Sequence, residues 1–449
     1  MWWKKPGFSI MYQIEARPGW LWNRNYDKFN VSMMDDEGKL KFNGPFCKMK
    51  KWVEFSKKVG VDYHIFEVKW HDGICYWDTN HTKWKTPEDY VKIFSEESKK
   101  ANIPFMFYYS SIFDHNPDFD DIQPLRYITP SFIAMHNENK KAISEYSLNF
   151  FKFLASRHKD QIEERDIPYE EEFIGEIKLH DFTYNPKKYE DYLLNQLKEL
   201  IENYEPDGMW MDWYWEAPEA STSLVMDFMK KNYPDVVLTF NVSIDRKPRY
   251  IHYLTYEAHD VNTAWRSGNK YRRKKIPWEL CGPAAFAWDV PKARPDQYEI
   301  FRIAAIIMAS GGKYCFGLPS QMNGDLYPEP TENVRLFGEW YNPRRKLFTE
   351  STPMNYKGKE VPGIKINNIG TIGSIYKEDF LIHLINFKGL KKELKIRFSQ
   401  EHWSNIDKIF LEPYLKELEF IKNNGEIVLK INEDDVDLAD TILKISVKK

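Results

Sequence analysis

The chain has 449 residues, and its 64 basic and 67 acidic side chains leave a formal net charge of −3. That balance excludes a broad basic surface for nucleic acid, and no apolar run of about 18 residues is available to span a membrane. The length exceeds one ordinary hydrophobic core and suits a large α/β barrel carrying a small companion domain.

The N-terminus, MWWKKPGFSI, lacks the profile of a secretory leader. The expected location is therefore cytoplasmic, or secreted or periplasmic if a leader has been removed. GFSIMYQI (7–14) reads as a strand, and PFCKMKKWVEFSKKVG (45–60) has helical spacing and stops at Gly60. DYHIFEVKW (62–70) is again strand-like. TPEDYVKIFSEESKKANI (86–103) predicts a helix capped by Thr86, with acidic residues in its first turn. PFMFYYS (104–110) is a strand, followed by a polar excursion to about residue 180, with a helix expected near 136–157 and a place at the rim of the fold. KKYEDYLLNQLKELIENY (187–204) is an amphipathic helix and GMWMDWYW (208–215) the strand after it. VVLTFNV (236–242) and HYLTYEA (252–258) are shorter strands. FRIAAIIMASGG (301–312) is a nearly all-apolar helix closed by glycines, and KYCFGLP (313–319) is a last strand.

Apolar strands alternating with helices imply parallel pairing through helical crossovers. About eight such units fit a (β/α)8-type barrel over residues 1–345. A doubly wound open sheet is the alternative, and its nucleotide-binding versions lose weight because no GxGxxG turn or P-loop is present. After NPRRKLF (342–348) the pattern changes to short β-type runs, among them FLIHLINF, ELKIRF, GEIVLKI and TILKISV, separated by turns such as KNNGE (422–426). This predicts an all-β sandwich over 346–449 with no catalytic cluster of its own. Cys47, Cys75, Cys281 and Cys315 are far apart with no CxxC pair, so neither a disulfide framework nor a structural zinc site is expected. They should pack as small hydrophobes.

In β/α barrels the working side chains stand at the C-terminal ends of the strands. Here those ends carry Gln13 and Glu15; Glu67, Lys69, Trp70, His71 and Asp72; Tyr108 and Tyr109; then Asp212, Asn241, Glu257 and His259. Several carboxylates and aromatic rings gather at one rim, with too few histidines for a metal cage, so no metal is expected; a two-carboxylate reaction would need no organic cofactor either. Aromatic residues are 16 % of the chain, which suits stacking on sugar faces, although most are expected simply to fill the core. Two carboxylates at strand ends beside aromatic walls suit cleavage of a glycosidic bond. By spacing alone any two of Asp72, Asp212 and Glu257 could be the pair. A lone carboxylate at such a place is as readily a helix cap or a salt-bridge partner.

Several segments then resemble the α-L-fucosidases of glycoside hydrolase family 29: FSIMYQIEARPGW (8–20), KWHDGICYWDT (69–79), YEPDGMWMDW (204–213), TYEAHD (255–260), PWELC (277–281) and SGGKYCFGLPSQMNGDLYPEP (310–330), kept in order over nearly the whole chain. The resemblance implies a retaining exo-glycosidase, with Asp212 as nucleophile and Glu257 as acid/base, Glu279 of PWELC being the competitor. It also implies a sugar pocket lined by Trp210, Tyr108, His71 and Arg246, with an oligosaccharide or glycoconjugate as partner. The chain departs from the family at two places. Gln13 stands where the first strand normally carries a His, and Trp70 replaces the first His of a His-His pair; both normally bond sugar hydroxyls. A pocket that changes such donors changes which sugar it accepts. The alternatives are a related glycosidase acting on a galactoside or modified fucoside, and a carbohydrate-binding homologue without catalysis.

Overall fold

Strands that are apolar along their whole length are stable only when both faces are covered, and parallel strands with helical crossovers provide this. The computed structural model describes residues 1–14, 37, 39–42, 44, 46–70, 72–111, 114, 116, 118, 186–212, 219–241, 248–272, 274, 276–286, 288, 292–389, 391–423 and 425–448. Eight strands form the first sheet: β1 (Gly7–Gln13), β2 (Tyr63–Lys69), β3 (Phe105–Ser110), β4 (Gly208–Asp212), β5 (Val237–Phe240), β6 (Leu254–Glu257), β7 (Trp278–Pro283) and β8 (Lys313–Pro319). Their order is β5-β4-β3-β2-β1-β8-β7-β6, and every hydrogen-bonded pair is parallel. Because β1 pairs with both β2 and β8, the first and last strands are neighbours and the sheet curls into a barrel. The open doubly wound sheet is thereby excluded.

The barrel closes between β5 and β6 without a ladder. His252 N–H donates to the Leu238 carbonyl at 2.8 Å. The Thr239 hydroxyl adds bonds to the Tyr253 carbonyl at 2.7 Å and the Thr255 hydroxyl at 3.3 Å.

Helices cover the outside. In α1 (Met49–Val59), Trp52, Val53, Ser56 and Val59 form the buried stripe, and Gly60 ends the helix at φ 75°, a left-handed conformation that glycine adopts at no steric cost. The second helix, α2 (Tyr90–Ala101), differs from expectation at its start. Its cap is Asp89, whose carboxylate accepts the Lys92 N–H at 2.8 Å. Thr86 is used otherwise, its N–H bonding the Cys75 carbonyl in an extended segment, which holds it out of the helix. Then come α3 (Pro186–Tyr204), α4 (Glu219–Asn232), α5 (Val261–Tyr271), α6 (Glu299–Ala309) and α7 (Pro328–Tyr341). The helix expected near 136–157 lies outside the described residues. Among the described residues no helix is long and apolar enough to cross a membrane.

Residues from Ser351 onward form two antiparallel sheets, one of four strands and one of six. Alternation sets their faces. Ile382 and Leu384 of β9 (Asp379–Ile385) pack between the two sheets with Ile396, Phe398 and Leu429. Leu381 and Ile385, pointing the other way, join the barrel's own core. Arg302 of α6 reinforces that contact by donating to the Leu438 carbonyl at 3.0 Å.

One buried ion pair sits near the barrel mouth. Lys69 is fully enclosed, pairs with Asp114, and lies over the Tyr109 and Tyr192 rings at 4.1 and 5.0 Å. Removing one partner of such a pair strands the other charge. Lys69→Met should therefore cost about 3–5 kcal/mol of stability in urea unfolding; a loss below about 1 kcal/mol would show that the pair contributes little.

Candidate active site

The inward-facing residues at the C-terminal ends of the strands meet in one hollow. Its centre is Asp212, the last residue of β4 and 5 % exposed. Tyr108 donates its hydroxyl to Asp212 Oδ2, and Asn241 donates to Oδ1 at 2.8 Å. The backbone is held as well: the Ser111 hydroxyl bonds the Asp212 carbonyl at 2.9 Å, while Tyr189 of α3 holds the Ser111 carbonyl at 2.9 Å. A carboxylate among aromatic rings is tolerable because its oxygens are met by donors.

Glu257 ends β6. The same Asn241 amide nitrogen that bonds Asp212 donates to Glu257 Oε1 at 2.9 Å. His259 Nε2 and Trp288 Nε1 reach the other oxygen at 2.9 and 3.1 Å. Two oxygens bonded to one nitrogen can be no further apart than the two bonds laid end to end. That limit falls below the roughly 6.5–9.5 Å that inverting glycosidases need between their carboxyls, and it accommodates the roughly 5–5.5 Å of retaining ones.

Burial pushes the Glu257 carboxyl up, but the hydrogen bond and charge of His259, with the donors Asn241 and Trp288, outweigh it and hold it below the usual carboxylate range. The side chain nonetheless keeps a third of its surface open. Arg294 fixes the loops that carry its partners, donating to the His259 carbonyl at 2.9 Å and the Ala285 carbonyl at 3.0 Å. Gly317 of β8 makes room: a Cβ there would stand 2.1 Å from the Trp288 ring and 2.7 Å from Gln13 Oε1.

Glu279 occupies a different place. It is the second residue of β7, at the end of the barrel opposite the mouth, and is fully buried. Tyr63 donates to one oxygen; Trp210 at 3.0 Å and Thr255 at 3.3 Å meet the other. Burial pushes its carboxyl up to about 8, and the neighbouring Lys313 charge offsets only part of that. Trp210 therefore spends its N–H on Glu279 and offers its face to Tyr108, stacked at 5.3 Å, as the floor beneath the hollow.

Gln13 and Trp70 are both buried at the mouth. Asp72 shapes a turn, its carboxylate accepting the Ile74 N–H at 2.9 Å. His71, Arg246 and Glu15 lie outside the described residues. Trp288 and the bridging role of Asn241 were not foreseen from sequence. Asn241 stood among the strand-end residues, but nothing in the sequence marks Trp288. Among the described residues no group of three His, Cys, Asp or Glu could hold a metal ion.

The Alpha-L-fucosidase family model matches residues 11–345. No curated protein matches the chain. Among solved structures, alpha-L-fucosidase isoenzyme 1 from Paenibacillus thiaminolyticus is similar at 16% identity and TM-score 0.65, with 100% of this chain and 98% of that one covered. The Thermotoga maritima alpha-fucosidase in complex with a mechanism-based inhibitor gives 14% and 0.62, covering 100% and 96%. An alpha-L-fucosidase of Bacteroides thetaiotaomicron gives 16% and 0.62, covering 100% and 93%.

Because His259 supplies both a donor and charge that lower Glu257, His259→Ala should move the titration of Glu257 to higher pH. NMR of the ¹³C-labelled glutamate carboxyls measures this; an unchanged or lower midpoint would contradict the assignment of cause.

Proposed function

Because the chain belongs to the alpha-L-fucosidase family, we propose that it cleaves terminal α-L-fucosidic bonds with retention, using Asp212 as nucleophile and Glu257 as acid/base. The chain is a glycoside hydrolase, and its partner is a glycan. The observation that carries the residue assignment is the single Asn241 amide held between the two carboxylates.

Asp212 attacks the anomeric carbon and forms a glycosyl ester while the bond to the leaving oxygen breaks. Glu257 gives that oxygen its proton. In the second step Glu257 takes a proton from water, whose oxygen displaces Asp212 and releases the sugar with its original configuration. The donors around Glu257 favour its ionised form, the form used in the second step. The first step needs a proton on Glu257, and His259 is the titratable group that touches it among the described residues. Tyr108 and Asn241 orient Asp212 so that one oxygen faces the sugar. Glu279 is the weaker candidate for acid/base, since its oxygens are committed to Tyr63, Trp210 and Thr255 at the far end of the barrel.

A fluorosugar that accumulates the glycosyl ester should label Asp212, read by mass spectrometry of the digested protein. Asp212→Gly should lose activity on aryl α-L-fucosides by on the order of 10³-fold or more. Glu257→Gln should lose roughly 10²–10⁴-fold on substrates with poor leaving groups and far less on dinitrophenyl fucosides, which need no acid. A label on another residue, or equal losses on both leaving groups, would overturn the respective assignment.

A further inference from the structure

A third carboxyl stands in the same hollow with no role in the two-step scheme. Glu67 lies near the end of β2, paired in register with Tyr108, the residue that donates to Asp212. It is fully buried. One oxygen, Oε2, accepts the Ile14 N–H at 2.9 Å. The other, Oε1, has no hydrogen-bond partner among the described residues. An ionised carboxylate has about four acceptor sites to satisfy and strongly prefers a cation or several donors when buried. Asp212 and Glu257 each hold at least two side-chain hydrogen bonds, whereas Glu67 has the Ile14 N–H on one oxygen and a lesser contribution from the Gln13 side chain. The nearest lysine along its own strand, Lys69, is committed to Asp114.

We propose that Glu67 works as a neutral acid, and that its Oε1–H, beside the side-chain carbonyl of Gln13, recognises one hydroxyl of the bound sugar. This deepens the reading of the site given above and rests on it. Three observations agree. Burial pushes the Glu67 carboxyl well above the usual range, and the charges of Asp212 and Asp72 add to it, against the Ile14 N–H and the Gln13 side chain, which offset only part. Gln13 Oε1 is likewise buried without a partner among the described residues. Gly317 and Trp288 border that carbonyl, and Trp288 in turn bonds Glu257, which places it beside the catalytic pair. A sugar hydroxyl is both donor and acceptor, so an O–H and a C=O side by side match it. Glu67 would thus be a specificity-determining residue, next to Gln13.

The test compares Glu67→Gln and Glu67→Leu on an aryl α-L-fucoside and on its monodeoxy analogues. Glutamine keeps a donor without a charge, so Glu67→Gln should stay within roughly threefold of wild type. Glu67→Leu should lose roughly 10- to 100-fold on the full sugar and almost nothing on the one analogue lacking the recognised hydroxyl. Infrared difference spectra at neutral pH should show a protonated carboxyl band that both variants lack, a readout that packing alone does not move. Circular dichroism checks that each variant is folded. Glu67→Gln failing as badly as Glu67→Leu, equal losses across all analogues, or no protonated band would each overturn the proposal. A wild-type protein inactive on every fucoside would instead count against the parent reading, which keeps the two failures distinguishable.

Discussion

The site depends on one side-chain amide. Two ionised carboxylates about 5 Å apart in a half-dry pocket repel by roughly 3 kcal/mol at an effective dielectric near 20. The Asn241 nitrogen lies between Asp212 and Glu257 and bonds both. Each such bond to a charged acceptor contributes about 1.5–3 kcal/mol, enough to offset the repulsion. Proximity of the two acids, which double displacement demands, is thus a property of the folded barrel, made by residues from three successive strand ends.

Beneath the mouth the barrel interior is filled and polar in places. Trp210 connects the levels, its face against Tyr108 above and its N–H on Glu279 below. Glu279 is paired in register with Lys313, and burial lowers that lysine to about 8. Lys313 finds the Trp3 carbonyl at 3.0 Å. Buried polar groups of this kind are stable only when fully partnered. Tyr63, Trp210 and Thr255 give Glu279 its partners and hold it at the end of the barrel opposite Asp212 and Glu257.

How much was visible in the sequence follows from what each feature depends on. Seven barrel strands were readable because each is a short apolar run, and the antiparallel region because its alternation of period two survives in strands such as Leu394–Ser399. The seventh barrel strand, WELCGP, was not, since it carries Glu, Gly and Pro. Glu279 is tolerated inside only through partners distant in the chain, and Pro283 ends the strand where its missing N–H matters least. Asp212 and Glu257 could be placed at strand ends. That they share a donor could not, because Asn241 is related to them only by barrel closure. Trp288 comes from a loop, where no periodicity marks which side chain turns inward. The shift of the α2 cap from Thr86 to Asp89 has the same origin: a tertiary bond to Cys75 decided it.

The absence of a ladder between β5 and β6 has a mechanical consequence. These two strands carry Asn241 just past the end of one and Glu257 at the end of the other. Around the rest of the ring the spacing is fixed by rows of hydrogen bonds between peptide groups, but here, among the described residues, it is set by a two-way bond between Leu238 and His252 and by a threonine hydroxyl. Fewer links resist stretching at this point of the circumference. When a bulky ligand presses the wall outward, the compliant direction is therefore the one that alters the gap between Glu257 on β6 and Asp212 on β4.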